Sequence, residues 1–339
     1  MVSEIIEKAD KIYRKNFPME TWFERAIFFS WYCAIRNCKF CYMSTQPRKK
    51  DPVKARRKES SLLAELILCK KLGWRLGFIS GGLGAFETIE FEKILKDMHK
   101  ITNEKMWLNI GAVDEEKIKK FLPYVKGLVG SIETINKKIH NFICPSKPIE
   151  KYEMMFEIAG KYGLKKAMTI IIGLGETIKD YSKLKEFIEK HNIEKIHFYG
   201  LNPQKGTIFE NADPPSVEYQ AEWIARTRID FPKIDIQCGI WKDRTDYIPL
   251  LLKAGANSIS KYPITRYFAS KSAHEIEDYS KKAGRAFKGT LTKIPENINW
   301  DKEVNNLDLD KEIKEKVRKK LKQYLKKMKN NVKEWENKK

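Results

Sequence analysis

Three cysteines fall within nine residues, in Cys33-Ala-Ile-Arg-Asn-Cys38-Lys-Phe-Cys41. Thiolates gathered on one tight loop can hold three irons of a cubane cluster and leave the fourth iron without a protein ligand. That open iron is where chemistry would take place. Two other readings stand beside this one, a zinc knuckle and three buried structural thiols. Zinc wants a fourth Cys or His at short spacing, and the histidines (His99, His140, His191, His197 and His274) are all remote in sequence. Buried structural thiols would not gather in a loop that also carries Arg36, Asn37 and Lys39. The spacing therefore points to an iron–sulfur cluster on Cys33, Cys38 and Cys41, with Phe40 placed to shield it.

The other three cysteines are scattered. With no signal-peptide pattern at the N-terminus, disulfides are not expected. Cys69 shares a helical face with Leu62 and Leu66, so its expectation is core packing. Cys144 lies in Asn141-Phe142-Ile143-Cys144-Pro145-Ser146-Lys147, a loop expected on the side that carries the cluster. Cys238 ends a run in which Ile234, Ile236 and Cys238 alternate toward one side. For Cys144 and Cys238 two readings are open: ordinary burial, or a shared role in catalysis or in holding a second iron–sulfur cluster. Two thiolates are fewer than a second cubane usually has, so another side chain or an external sulfide would have to complete it.

The elements that must position these groups are short β-branched runs alternating with amphipathic stretches. Strands are expected at Ala26–Tyr32, Arg75–Ser80, Lys105–Ile110, Gly127–Glu133, Lys166–Ile172, Lys195–Leu201, Lys233–Ile240 and Asn257–Tyr262. Helical patterns lie between them, as at Ser60–Lys71, Phe91–His99, Tyr152–Tyr162 and Glu218–Asp230. Alternation of this kind implies βαβ units and a parallel sheet. Eight strands predict an α/β fold of the (βα)8 TIM-barrel type, with a six-stranded partial barrel and an open doubly wound sheet as alternatives. In a parallel barrel, chemistry sits at the C-terminal strand ends. The expected division is a leading helix over 1–22, the barrel over 23–295 and a basic helical extension over 296–339. In the extension, residues 311–329 carry ten basic and two acidic residues, and Ile313, Val317, Leu321, Tyr324, Leu325 and Met328 repeat at helical spacing.

The cluster loop and four further segments resemble the radical S-adenosylmethionine (SAM) superfamily, in the right order over roughly residues 20–295. The superfamily's usual spacing is C-x3-C-x2-C, and this chain has one residue more. The resemblance implies a TIM-type radical SAM barrel with a [4Fe–4S] cluster on Cys33, Cys38 and Cys41. SAM would chelate the open iron, and its reductive cleavage would release a 5′-deoxyadenosyl radical. Phe40 would pack against SAM. Ser80-Gly81-Gly82 is similar to the motif whose backbone binds the SAM amino group. Ser131-Ile132-Glu133-Thr134 resembles the ribose motif, with Glu133 as the contact. Ile171 to Glu176, with Gly173 and Glu176, resembles the region that lines the adenine. Tyr199-Gly200-Leu201-Asn202-Pro203 is similar to the sixth-strand segment of biotin synthase, which assigns Tyr199 and Asn202 to the adenine. The branch implied holds biotin synthase, the hydrogenase maturases and the archaeal lipoyl synthases. It implies sulfur insertion into an unactivated C–H bond, with metallocofactor maturation or radical rearrangement as the alternative. A non-catalytic iron–sulfur protein that binds nucleic acid is the alternative of another class.

Composition bounds the partners. The chain has 339 residues, with 66 Lys plus Arg against 45 Asp plus Glu, for a formal charge of +21. That balance attracts acidic partners. It is also typical of Lys- and Glu-rich thermophile sequences. The run from Arg48 to Lys58 holds seven basic residues in eleven and would draw an acidic carrier domain or a phosphate-bearing substrate to the rim. A solvated loop is the other reading. Further partners expected are a ferredoxin- or flavodoxin-type electron donor and a partner radical SAM subunit. Nucleic acid is not expected, because aromatic and basic residues do not interleave on one exposed strand. No apolar run is long enough to span a bilayer, so a cytoplasmic location is expected.

Overall fold

Strand residues here are apolar on alternate faces in both directions, which buries each strand between a helix layer and a barrel interior. The computed structural model describes residues 2–47 and 51–338. Its strands are β1 (Glu20–Trp22), β2 (Glu24–Phe28), β3 (Arg75–Ser80), β4 (Met106–Asn109), β5 (Val125–Glu133), β6 (Lys165–Ile172), β7 (Lys195–Gly200), β8 (Asp235–Gly239), β9 (Ser258–Ser260) and β10 (Ala286–Lys288). Strands β2 to β9 pair in chain order, all parallel. An isolated parallel bridge from Phe23 to Ile259 brings the last barrel strand back to the first. The sheet is therefore the expected eight-stranded barrel, nearly closed. A doubly wound sheet would reverse its strand order, and this one does not.

The barrel interior fills in layers, as a closed sheet of this size must. At the base, Lys195 Nζ lies 2.7 Å from both Glu24 Oε1 and Asp235 Oδ2. Above it sit Phe78, Trp107, Val129 and Ala167. Next to them the His197 ring meets the edge of Phe78 and shares a 2.7 Å hydrogen bond with Gln237 Oε1. Burial, aided by Lys195, pushes the His197 imidazole down to about 3, so it is neutral. The top of the barrel is left to polar side chains.

The ends of the chain close over the outside. Helix Glu59–Leu72 is buried on nearly every side, including Cys69 at 3% exposure. A helix apolar all round needs two layers of cover. The sheet supplies one. The C-terminal helix Lys311–Glu336 supplies the other with buried Val317, Leu321, Leu325 and Met328. Tyr324 adds a hydroxyl contact of 2.8 Å to Ser61 Oγ. The leading helix Val2–Asn16 packs Ile6, Ala9 and Tyr13 against helix Val217–Asp230. After it, β1 pairs with β10 in a separate two-stranded sheet, which ties residues 20–22 to residues 286–288. No described helix is long and apolar enough to cross a membrane.

Candidate active site

The cysteine loop leaves the top of β2 and is laid across the end of β3. Backbone bonds run from Phe29 N–H to Ser80 O (2.8 Å), from Gly82 N–H to Ser30 O (3.3 Å) and from Ala34 N–H to Leu83 O (2.9 Å). Its far side is tied to the segment after β5. Lys39 N–H donates to Ile143 O at 2.8 Å, and Asn37 Nδ2 to Ser146 Oγ at 2.5 Å. The extra residue between Cys33 and Cys38 is taken up in a turn where Arg36 has a φ of +46°. The Arg36 guanidinium closes that turn by donating to Cys33 O at 2.9 Å and Pro47 O at 2.5 Å.

All three thiols face one cavity of about 240 Å³ at the C-terminal end of the barrel. Its floor and walls come from successive strand ends: Ser80, Gly81 and Gly82, then Asn109, Ser131, Glu133, Thr169, Ile171, Tyr199 and Lys261, with Phe40 from the loop. Burial is the main influence on the Cys41 thiol and pushes it up to about 11. Glu133 has a φ of +65°. Its carboxylate accepts from Lys147 Nζ at 3.0 Å and from Thr169 Oγ1 at 3.3 Å. Burial works against the Lys147 charge, but the Glu133 carboxylate outweighs it and holds that ammonium well above the ordinary lysine range. Lys261 follows β9 and spreads its ammonium 4.4 Å from the Tyr199 ring centroid. Burial pulls its ammonium down, opposed by Glu133 and Cys41.

The cavity thus brings together Cys33, Cys38, Cys41, Phe40, Gly81, Gly82, Glu133 and Tyr199. The remaining expected site residues lie elsewhere. Cys144 sits behind Cys38 in a small apolar cluster with Ile143, Leu174 and Leu201. The hydrogen bond between the two thiols draws Cys38 down and, with burial, pushes Cys144 up. Cys238 does not reach the barrel mouth. It is fully buried in the main core beneath the helices, with its Sγ 3.4 Å from Ser258 O. The alternation of Ile236 and Cys238 marks the outward face of β8, while Gln237 points inward. Glu176 folds its own turn, accepting from Gly173 N–H (2.7 Å) and Leu174 N–H (2.9 Å). Gly173 is needed there for its φ of +105°. Asn202 is clamped by Arg244, whose guanidinium donates to Asn202 Oδ1 at 2.7 Å and to Leu201 O at 3.1 Å. A Cβ on Gly81 would fall 2.4 Å from the Phe29 ring, and one on Gly82 only 1.7 Å from Tyr32 O. The start of the cysteine loop packs directly on both glycines.

Of the basic run, Arg48, Lys49 and Lys50 lie outside the described residues. Arg56 and Arg57 are structural. Arg56 stacks 4.4 Å over Phe86, and Arg57 pairs with Glu65 at 2.6 Å. Among the described basic residues of the run, only Lys54 and Lys58 stand exposed. Lys147, Lys261 and Arg244 were not among the expected site residues. The inward parity of polar residues at strand ends (Ser80, Asn109, Ser131, Thr169) was a signal the sequence held for the wall of the cavity.

A single zinc ion takes all its ligands at one point. A cubane instead takes its thiolates on different irons, which suits three thiols spread around one cavity. A barrel of this kind, with thiols at its mouth and polar strand ends around them, defines a class of cofactor-dependent α/β-barrel enzymes. The sequence pattern described as Radical SAM superfamily matches residues 29–188. An uncharacterised protein of Methanocaldococcus jannaschii is 39% identical over 98% of this chain and 97% of its own. Biotin synthase of Thermodesulfovibrio yellowstonii is 25% identical over 73% of this chain and 81% of its own. A 7,8-didemethyl-8-hydroxy-5-deazariboflavin synthase of Archaeoglobus fulgidus matches at 28% over 48% of this chain and 52% of that one. Among solved structures, the hydrogenase maturase HydG of Carboxydothermus hydrogenoformans superposes with a TM-score of 0.68, covering 99% of this chain and 86% of that chain at 13% identity. That likeness speaks for the fold. The chain belongs to the radical SAM superfamily, whose members use a [4Fe–4S] cluster and SAM.

Proposed function

We propose that this protein is a radical SAM enzyme with one cluster, held by Cys33, Cys38 and Cys41, that serves a carbon-centred rearrangement or cofactor-building reaction. Bound together, the cluster and SAM would supply a carbon radical able to take hydrogen from an unactivated C–H bond. The residues would provide position and shelter. Phe40 and Tyr199 would exclude water, and Glu133, fixed by Lys147 and Thr169, would accept hydrogen bonds from SAM hydroxyls. The observation that carries the single-cluster reading is the burial of Cys238 in the core, which leaves Cys144 as the only further thiol near the mouth among the described residues. Sulfur insertion is the second reading. It is favoured by the biotin synthase relatives and by Cys144 lying against Cys38.

Iron and sulfide content with EPR, on anaerobically reconstituted protein, tests this. Wild type is expected to hold about four irons per chain and the Cys33/Cys38/Cys41→Ala variant none. About eight irons, with about four surviving in the variant, would instead establish a second cluster and favour sulfur insertion. Near-zero iron in both would sink the assignment.

Arg244→Ala checks the Asn202 contact. Losing a charge-assisted clamp of this kind costs about 1.5–3 kcal/mol of folding stability, so urea titration is expected to show that loss with iron content unchanged. Unaltered stability would show that the Arg244 contact does not hold the Asn202 segment in place.

A further inference from the structure

The cavity holds two lysines, and their situations differ. Lys147 is neutralised by Glu133 at 3.0 Å. Lys261 makes no ion pair with any carboxylate among the described residues, and its described partner is the face of Tyr199. A half-buried cation without an anion is costly to keep, and the fold keeps this one by two devices. Lys261 has a φ of +66°, a backbone conformation that an unbranched L-residue adopts at a cost and that persists where function requires it. Gly239 on β8 makes room: a Cβ there would fall 2.3 Å from Tyr199 Cδ1 and 3.1 Å from Lys261 Cγ. A glycine without a side chain and a strained lysine together set one unpaired ammonium at the C-terminal end of β9, inside the cavity that also holds Cys41 and Glu133.

We propose that Lys261 is the anion-recognition residue of this active site and that the second substrate carries a carboxylate or phosphate which seats against it. The inference rests on the radical SAM reading and adds the substrate class to it. The same charge chemistry is available from the carboxylate of SAM itself. The two sources separate because SAM affinity and anion affinity are measured independently.

The experiment uses reconstituted protein saturated with SAM and two probes, hexanoate and inorganic phosphate, followed by titration calorimetry. Wild type is expected to bind at least one probe, and Lys261→Met to weaken that binding by about tenfold or more, with Lys261→Arg retaining it. SAM affinity in Lys261→Met should stay within about threefold of wild type, since on this proposal the anion that Lys261 holds is not the SAM carboxylate. A tenfold loss of SAM affinity with no change for the probes would assign Lys261 to the SAM carboxylate and overturn the proposal. So would SAM-loaded wild type that binds neither probe more tightly than Lys261→Met does. Iron content and SAM binding in the same samples keep the two readings apart. Protein that loads iron and binds SAM but ignores both probes sinks the anion site alone. Protein that loads no iron sinks the enzyme assignment.

Discussion

Gly82→Ala is expected to cut iron content at least about fourfold, because the added methyl has nowhere to go. Its Cβ would lie 1.7 Å from Tyr32 O and 2.7 Å from Cys33 Cβ. The first of these is backbone and cannot rotate aside. Tyr32 is also fixed, its N–H accepted by Ser30 Oγ at 3.1 Å, while Ser30 O takes the Gly82 N–H. The only relief is to lift the loop from β3, which moves Cys33 away from the other two thiols. A matched variant separates this clash from general glycine effects. Gly163 has a φ of +65°, and a methyl added there would meet no described atom within 4 Å. Gly163→Ala should cost about 1 kcal/mol of stability through backbone strain and leave iron at the wild-type level. Thermal melts and iron assays on the two variants check both statements. Full iron in Gly82→Ala would show that the loop does not need its seat on β3.

The same geometry explains why the first strand was misplaced in sequence. The apolar run Ala26–Tyr32 reads as one strand, yet pairing stops at Phe28. Phe29 is apolar because its ring packs, as a loop residue, on Gly81 just beyond β3. Arg75–Ser80, in contrast, is bounded by Gly73 and Gly81 and matches β3 to the residue. The eight-fold βα rhythm was legible because each strand carries its own burial pattern. The short helix Lys137–Ile143 was not, since its second half falls in Asn141–Lys147, which reads as a loop. The cysteine loop declared itself by spacing. Lys261 and Arg244 could not do so, because a lysine or arginine in sequence carries no mark of the cavity or clamp that the chain later builds around it. Cys238 failed for a related reason: alternation says which residues share a face, and only the closed barrel decides which face is inside.

At the other end of the barrel, Lys195→Met is expected to cost about 3–5 kcal/mol, the usual penalty for leaving a buried partner charged and alone. Lys195 is the ammonium between Glu24 and Asp235, and Glu24 is 4% exposed. Ser258 Oγ (2.9 Å) and Trp22 Nε1 (3.1 Å) also donate to Glu24. Burial alone would raise the Glu24 carboxyl, but Lys195 and these donors outweigh it and hold it below the usual range. A carboxyl depressed in the folded state contributes stability above its unfolded pKa, about 4.3, and loses it as pH falls through the folded value. Wild type should therefore lose none of this contribution between about pH 5 and pH 7. In Lys195→Met the attraction is gone and burial governs, so the folded Glu24 pKa lies above the unfolded one. The sign then inverts: the variant binds the Glu24 proton more tightly when folded, and its stability falls as pH rises from about 5 to 7. Urea titrations of both proteins at the two pH values read this directly. Adding Glu24→Gln to Lys195→Met should remove the slope, because no titrating carboxyl then remains at that position. A variant whose stability held level across the interval would mean that Ser258 and Trp22 suffice to keep Glu24 ionised without the lysine.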